Sequence, residues 1–322
     1  MRRAGKPLQL LAVLVAAALA LAACSSKGGA QNNSTGKSYT IAMITHEAPG
    51  DTFWDKIRNG ANAAAKNLGV TLKYSNDPDS GKQATLVQNA IDSKVDGIAV
   101  TLPDPPAIGP AVQKAVKAGI PVVAFNAGKD QYQQYGALMY FGSDEDLAGQ
   151  TVGKKIIQAT PNSHTVCVIQ EQGQVQLETR CAGVKKTDPN TEVLYVNGRD
   201  LPSVQQTIGA KLQQDKSITD VVTLGGDIAL AAQKSLTDAG SHAKIATFDL
   251  NADVAQQIKS GGIAFSVDQQ PYVQGYMAVT SLWLNLTNGN DIGGGGPVLT
   301  GPSIVDQSNI AKILPYTKNN TR

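Results

Sequence analysis

The sequence predicts an α/β protein with two similar lobes, each built on a doubly wound parallel sheet. From Tyr39 onward, short apolar runs rich in β-branched residues alternate with segments of helical period. The apolar runs lack polar positions, which is typical of parallel strands covered by helices on both faces. About four such strand–helix units precede residue 140 and about four follow it, which is too long a series for one sheet of ordinary size.

The first elements illustrate the pattern. A strand is predicted at 39–45, a helix from about 52 to 68, a second strand at 70–74 and a second helix from about 81 to 93. The first helix carries an apolar stripe at helical spacing, formed by Phe53, Ile57, Ala61, Ala64 and Leu68. Further short buried strands are predicted at 97–100, 121–125, 166–169, 193–196, 220–223 and 245–248.

The amino-terminal segment predicts export and lipid anchoring. Basic residues precede an apolar run at 8–22, and Leu21-Ala22-Ala23 stands directly before Cys24. The run has about 15 residues, whereas a membrane-spanning helix needs about 20. We therefore expect 1–23 to be a lipoprotein signal peptide and Cys24 to carry the lipid. The alternative is a plain secretory signal without lipidation.

Residues 24–38 are expected to form a flexible tether, because this stretch is almost entirely polar or small and cannot bury enough surface to order itself. The protein is then expected to be extracytoplasmic and held at the cell membrane by lipidated Cys24.

The cysteines and histidines limit the possible chemistry. With Cys24 assigned to the anchor, Cys167 and Cys181 remain as a pair in an oxidising compartment, and we predict a disulfide between them. Two buried free thiols are the alternative. The three histidines are far apart in sequence, so no metal site is predicted.

Composition argues against several classes of function. The formal net charge of +2 is too small to create the strongly positive surface that nucleic-acid-binding proteins use. The sequence lacks a Gly-x-Ser-x-Gly elbow, a phosphate loop and a His-Glu-x-x-His motif, so we expect neither an enzyme nor a bound cofactor.

Polar and aromatic residues follow the predicted strands, where open α/β sheets bind ligands. Two lobes with facing strand ends would form a cleft, and carboxylates, amides and an arginine with aromatic faces suit a neutral polyhydroxylated ligand. The candidate ligand-binding residues are His46, Asp51, Phe53, Trp54, Asn126, Asp144, Glu171, Arg180, Asp227, Asp249 and Gln269.

Several candidates have a purely structural alternative. Asp51, Asp144 and Asp227 stand where helices begin and could be N-caps. Phe53 belongs to the apolar stripe of its own helix, and Arg180 could be an ordinary surface residue.

A series of short motifs resembles, in order, the ribose-type (type I) periplasmic sugar-binding proteins of ABC importers. The motifs are Asp51-Thr52-Phe53-Trp54-Asp55 with Gly60-Ala61, Asp96-Gly97-Ile98, Ala118-Gly119-Ile120-Pro121-Val122-Val123, Gly142-Ser143-Asp144, and Gln269-Gln270-Pro271-Tyr272 with Gly275. The resemblance implies two lobes joined by a three-strand hinge with crossings near Gly142, Gln269 and Gly301. The implied lobes are 39–142 plus 270–300 and 143–269 plus 301–322.

The same resemblance implies roles for individual residues. The family's aromatic ligand motif falls on 51–54, its second-lobe arginine on Arg180, its Phe-Asp pair on Phe248-Asp249 and its hinge glutamine on Gln269. Two departures concern the ligand: the family's Asp-Arg pair falls on Asn126-Ala127, and its Asn-Asp pair falls on Gly226-Asp227. These departures argue for a sugar or polyol other than ribose.

The function implied is that of a monomeric binding protein. It would capture a simple sugar or polyol by hinge closure and deliver it to the permease subunits of an ABC transporter. A nucleoside or an autoinducer-type furanose is the alternative ligand, and a chemoreceptor is an alternative partner.

Overall fold

The computed structural model describes residues 38–322, so the predicted signal peptide, Cys24 and all but the last residue of the tether lie outside it. Within the described range the chain forms two lobes, each with a six-stranded sheet, and the predicted fold class is confirmed. None of the helices in 38–322 is long and apolar enough to cross a membrane.

The first sheet has the spatial order β11-β5-β4-β3-β1-β2, and all its pairings are parallel. Its strands are β1 (Thr40–Thr45), β2 (Thr71–Asn76), β3 (Gly97–Val100), β4 (Val122–Phe125), β5 (Tyr140–Ser143) and β11 (Val298–Gly301). The helices of this lobe are α1 (Phe53–Leu68), α2 (Ser80–Asp92), α3 (Pro105–Lys117) and α9 (Pro271–Asn288).

The second sheet repeats this arrangement with the order β12-β10-β9-β8-β6-β7. Its strands are β6 (Thr165–Ile169), β7 (Thr191–Tyr195), β8 (Asp220–Thr223), β9 (Lys244–Phe248), β10 (Phe265–Asp268) and β12 (Ser303–Asp306). The helices of this lobe are α4 (Glu145–Ala159), α5 (Val175–Thr187), α6 (Leu201–Gln214), α7 (Gly226–Ala239), α8 (Ala252–Ser260) and α10 (Ile310–Lys318).

The second sheet departs from the expected all-parallel arrangement at β12, which pairs with β10 in the antiparallel sense. The reason is the short link between the lobes. β11 runs toward the cleft, and only Pro302 separates it from β12. The chain therefore enters the second lobe from its cleft side and runs away from the cleft, whereas β10 runs toward it.

The edge strands also differ from expectation. The strand predicted as buried at 193–196 corresponds to β7, where Val193 is 40% and Tyr195 is 45% exposed. Because β7 lies at the edge of the sheet, helices cover it less completely than they cover the central strands.

Two glycines allow α1 to lie close against α9. A Cβ atom on Gly60 would stand 2.0 Å from the carbonyl oxygen of Tyr272, and one on Gly275 would stand 2.1 Å from the carbonyl oxygen of Ile57. The two helix backbones could not approach this closely with any larger residue. This contact fixes the position of α1, whose first turn faces the cleft.

The predicted disulfide is confirmed. It joins Cys167 on β6 to Cys181 on α5, with the two Cα atoms 5.8 Å apart. The bond attaches α5 to the second sheet one residue beyond Arg180, which lines the cleft.

Replacing both cysteines by alanine is expected to lower the free energy of unfolding by about 3 kcal/mol. The disulfide closes a short loop and so restricts the unfolded chain, and the variant loses this restriction. Urea unfolding of the variant, compared with the oxidised and the reduced wild type, measures the loss. A variant as stable as the oxidised protein would show that the bond does not stabilise this lobe.

Candidate ligand-binding cleft

A cavity of about 250 Å³ lies between the lobes, at the carboxyl ends of β1, β4, β6, β8 and β9. Ten of the eleven predicted site residues line it: His46, Asp51, Phe53, Trp54, Asn126, Glu171, Arg180, Asp227, Asp249 and Gln269. The structure thus brings together residues that are more than 200 positions apart in the sequence, as the facing strand ends require.

Asp144 is the exception, because it is not among the residues that line the cavity. It is the N-cap of α4, where its Oδ1 accepts a hydrogen bond from the backbone N–H of Leu147 at 3.0 Å. Its Oδ2 lies 3.3 Å from the ammonium of Lys129. The capping alternative is therefore the one that the structure shows, since these contacts use both carboxylate oxygens outside the cleft.

Asn126 and Asp249 occupy equivalent places in the two lobes. Each directly follows a strand that ends in phenylalanine, and each has a left-handed backbone conformation, with φ of 64° and 67°. Asparagine and aspartate tolerate this region better than other residues with a Cβ atom, and such conformations concentrate at functional sites.

Gln269 connects this pair across the hinge. Its Oε1 accepts a hydrogen bond from Asn126 Nδ2 at 3.2 Å, and its Nε2 donates to Asp249 Oδ1 at 2.8 Å. Gln274 supports the network by donating to Gln269 Oε1 at 3.1 Å. Gln269 thus orients both side chains in the cavity, and Asn126 also donates to Gln274 Oε1 at 3.3 Å.

Asp51 organises the aromatic wall of the cleft. Its carboxylate accepts from the backbone N–H of Phe53 at 3.0 Å and from the indole N–H of Trp54 at 3.1 Å. The Trp54 ring contacts the rings of Phe53 and His46 edge to face, with centroids 5.2 Å and 4.7 Å away. Asp51 therefore accepts from the first backbone N–H of α1 and also fixes the orientation of the Trp54 ring.

His46 joins the lobes as a neutral ring. Burial, helped by the charge of Arg180, lowers the pKa of His46 to about 3. Gln176 on α5 donates through Nε2 to His46 Nε2 at 3.2 Å, so Nδ1 carries the proton and donates to Thr101 Oγ1 at 2.8 Å. A second direct contact between the lobes is the bond from Val175 N–H to the Pro103 carbonyl, at 2.9 Å.

Arg180 is held by a buried ion pair with Glu145. The guanidinium Nε and Nη2 donate to the two carboxylate oxygens at 2.6 and 3.1 Å, and the side chains are only 3% and 7% exposed. The guanidinium also lies 4.7 Å from the centroid of Phe248. The surface alternative for Arg180 is therefore wrong. Nothing in the sequence pattern indicated its partner.

The carboxyl groups of the cleft hold their protons more strongly than usual. Burial raises the pKa of Asp249 to about 7, although the charge of Arg180 opposes this shift. Burial raises the pKa of Glu171 to about 7 and that of Asp51 to about 6, and it also raises the pKa of Asp227. A desolvated carboxyl group near other carboxyl groups favours its neutral form.

Sequence analysis missed several cleft residues, among them Lys56, Gln170, Gln176 and Asn251. Lys56 had a usable signal, because it follows Phe53 by three positions on a helix and so shares the face of the aromatic motif. The glutamines had none, since polar residues at a loop or at the start of a helix are common.

Three acceptor oxygens of the cleft residues are buried without a protein donor among the described residues: Gln170 Oε1, Glu171 Oε1 and Gln176 Oε1. Buried acceptors left unpaired destabilise a folded protein, so their presence in one cavity indicates a ligand that donates hydrogen bonds.

Away from the cleft, His164, Glu192 and Asp215 bring their ligand atoms within 4.8 Å of one another. Sequence analysis did not foresee this cluster. The ammonium of Lys211 forms an ion pair with Glu192 at 2.7 Å, and Ser217 contacts His164 Nδ1 at 2.8 Å. Existing ion pairs and hydrogen bonds thus account for the arrangement.

Comparison with known proteins places the chain among binding proteins of this architecture. Residues 41–291 match the family described as "Periplasmic binding protein domain". A crystal structure of a carbohydrate transporter from Acidothermus cellulolyticus 11B, in complex with myo-inositol, is 58% identical. It aligns over 89% of this chain and all of its own, with a TM-score of 0.88.

Two curated relatives are more distant. The xylose/arabinose-binding protein XylF of Sulfolobus acidocaldarius is 25% identical over 77% of this chain. The match covers 66% of the length of XylF. The ribose import binding protein RbsB of Bacillus subtilis is 23% identical over 77% of this chain and 81% of its own length.

Proposed function

Because this chain belongs to the periplasmic binding protein domain family, we propose that it captures a neutral simple sugar or polyol in the interlobe cleft and delivers it to an ABC transporter. In this proposal the protein is a lipid-anchored, monomeric, extracytoplasmic binding protein and not an enzyme. The observation that carries the ligand class is the convergence of unpaired buried acceptors and of carboxylates on one cavity.

The charges of the cleft favour a neutral ligand. Four carboxyl groups line the cavity, namely those of Asp51, Glu171, Asp227 and Asp249. Arg180 is already paired with Glu145 and contributes little net charge, so these four carboxyl groups outnumber the other two basic residues of the lining, Lys56 and Arg199. A phosphate or carboxylate on the ligand would face this surplus of acidic groups, whereas a hydroxyl group can donate to a carboxylate and accept from an amide.

The ligand would be held by both lobes. Asp51, the aromatic rings and Asn126 belong to the first lobe, while Glu171, Arg180, Asp227 and Asp249 belong to the second. A ligand that contacts both sets binds the closed arrangement better than an open one, and this difference in affinity drives closure about the hinge. Because the chain is 58% identical to a protein whose crystal structure contains myo-inositol, this cyclic polyol is the first ligand to test.

A thermal-shift screen tests the proposal. The purified protein would be melted with myo-inositol, D-ribose, D-xylose, D-arabinose, adenosine, amino acids and myo-inositol monophosphate. A ligand at 100 times its dissociation constant stabilises the folded state by about 2.7 kcal/mol, which raises the melting temperature by several degrees.

We expect a shift with one of the neutral polyols or sugars and none with the phosphate. A shift with adenosine or amino acids alone would contradict the ligand class while leaving the family assignment intact.

A further inference from the structure

Lys56 is buried in the cleft without an adequate partner in the protein. It lies in the first turn of α1 and lines the cavity, and only 2% of its surface is exposed to solvent. Lysine is almost never fully buried unless its ammonium is paired. The position of Lys56 therefore needs an explanation beyond the packing of the fold.

The hydrogen bonding of the ammonium is incomplete. Among the described residues its only acceptor is the carbonyl oxygen of Thr52, at the long distance of 3.4 Å. No carboxylate of residues 38–322 lies within salt-bridge distance of Lys56. An ammonium has three N–H donors, so two remain for other acceptors.

The surroundings of Lys56 are acidic. Burial lowers its pKa, while the charges of Asp249, Asp51 and Asp227 oppose that shift. These three aspartates line the same cavity as Lys56. A cation and several carboxylates thus face one small space without contacting each other directly.

A vicinal pair of hydroxyl groups fits between these charges. Each hydroxyl can accept from the ammonium through its oxygen and donate its proton to a carboxylate. Hydrogen bonds to charged groups are the stronger ones, and in such a chain each bond strengthens the next. A lone hydroxyl would fill only part of the donor capacity of Lys56.

We propose that Lys56 is a specificity-determining residue of the cleft, which donates to two adjacent hydroxyl oxygens of the ligand while the aspartates accept from the same hydroxyl groups. This inference rests on the proposed function and narrows its ligand class to polyols with vicinal hydroxyl groups.

Titration calorimetry with myo-inositol tests the inference. Lys56→Met keeps the length of the side chain and removes every donor. The control is Lys66→Met, which alters an exposed lysine on the same helix. We expect Lys56→Met to weaken binding at least a hundredfold and Lys66→Met to leave it within twofold of the wild type. Unchanged affinity in Lys56→Met would overturn the inference.

Monodeoxy derivatives of myo-inositol identify the contact itself. Removing a hydroxyl group that accepts from Lys56 should weaken binding to the wild type at least tenfold more than it weakens binding to Lys56→Met, where only the bond to the carboxylate remains to be lost. Two adjacent positions should behave in this way. If every deoxy derivative loses the same factor in both proteins, Lys56 does not contact the ligand.

A structural role is tested without ligand. Since Lys56 has only one weak hydrogen bond in the protein, the melting temperature of ligand-free Lys56→Met should equal or exceed that of the wild type. A fall of several degrees would make Lys56 a structural residue and overturn the inference. A wild type that binds no sugar or polyol would instead overturn the proposed function, and the inference with it.

Discussion

Replacing Asp249 by asparagine is expected to weaken ligand binding at least a hundredfold and, at the same time, to stabilise the ligand-free protein. Asparagine accepts the left-handed backbone of this position, where φ is 67°. It cannot offer the two charged acceptor oxygens of the carboxylate, and each hydrogen bond to a charged group contributes about 1.5–3 kcal/mol. Titration calorimetry measures the loss of affinity.

The gain in stability follows from the pKa of Asp249. The carboxyl group titrates at about 7 in the folded protein, above its ordinary value of 3.8, because it is buried. The folded state therefore binds this proton more tightly than the unfolded state, so the contribution of Asp249 to stability is greatest below about pH 4 and falls as the pH rises toward 7. Asp249→Asn removes this cost, and we expect about 2–4 kcal/mol of added stability at pH 8.

Urea unfolding between pH 5 and 8 checks the gain in stability and its pH dependence. Asp253→Asn, an exposed position on the adjacent helix, is the control. The wild type should lose stability across this range, partly through Asp51 and Glu171 as well, because these three carboxyl groups outweigh the opposite effect of His46 below pH 6.5. Asp249→Asn should lose less. A variant with the same pH slope as the wild type would show that Asp249 does not titrate in this window.

Arg180→Met is expected to lower the free energy of unfolding by about 3–5 kcal/mol, because it leaves the carboxylate of Glu145 buried without its cation. The variant also loses the contact of the guanidinium with Phe248. Ligand affinity should fall with it, since Arg180 lines the cavity.

The double variant Arg180→Met with Glu145→Leu separates the two effects. Without either charge, most of the lost stability should return, because a buried ion pair and an apolar pair of similar volume are often nearly equivalent. Binding should stay weak. A double variant no more stable than Arg180→Met would show that packing, rather than an unpaired charge, explains the loss.

The sequence predicted the architecture because that architecture depends on periodic patterns. Apolar strands alternating with helical stripes predicted the two lobes. For most of the predicted strands, the predicted bounds lie within about two residues of those in the structure. The strands β5, β10, β11 and β12 were not among those predicted. Each has a polar residue among its four positions, so none forms the continuous apolar run by which equally short strands such as β3 and β4 were predicted.

The candidate residues were found by their place directly after strands, and this rule succeeds where the strand itself fixes the position. Asn126 and Asp249 are both of this kind. The rule fails at helix starts, where neighbouring residues point in different directions. Asp144 and Glu145 are adjacent, yet one caps α4 at the surface and the other reaches inward to Arg180.

What the sequence by itself determined is the two-lobed α/β architecture with eight of its twelve strands, the disulfide pair and the edge of each sheet where polar side chains gather. Only the tertiary structure decided which of those side chains face the cleft and with what charge. Lys56 and Arg180 show the reason: burial and partners depend on packing between segments distant in the chain, and these factors set the direction, pairing and pKa of an ionisable group. No local pattern encodes them.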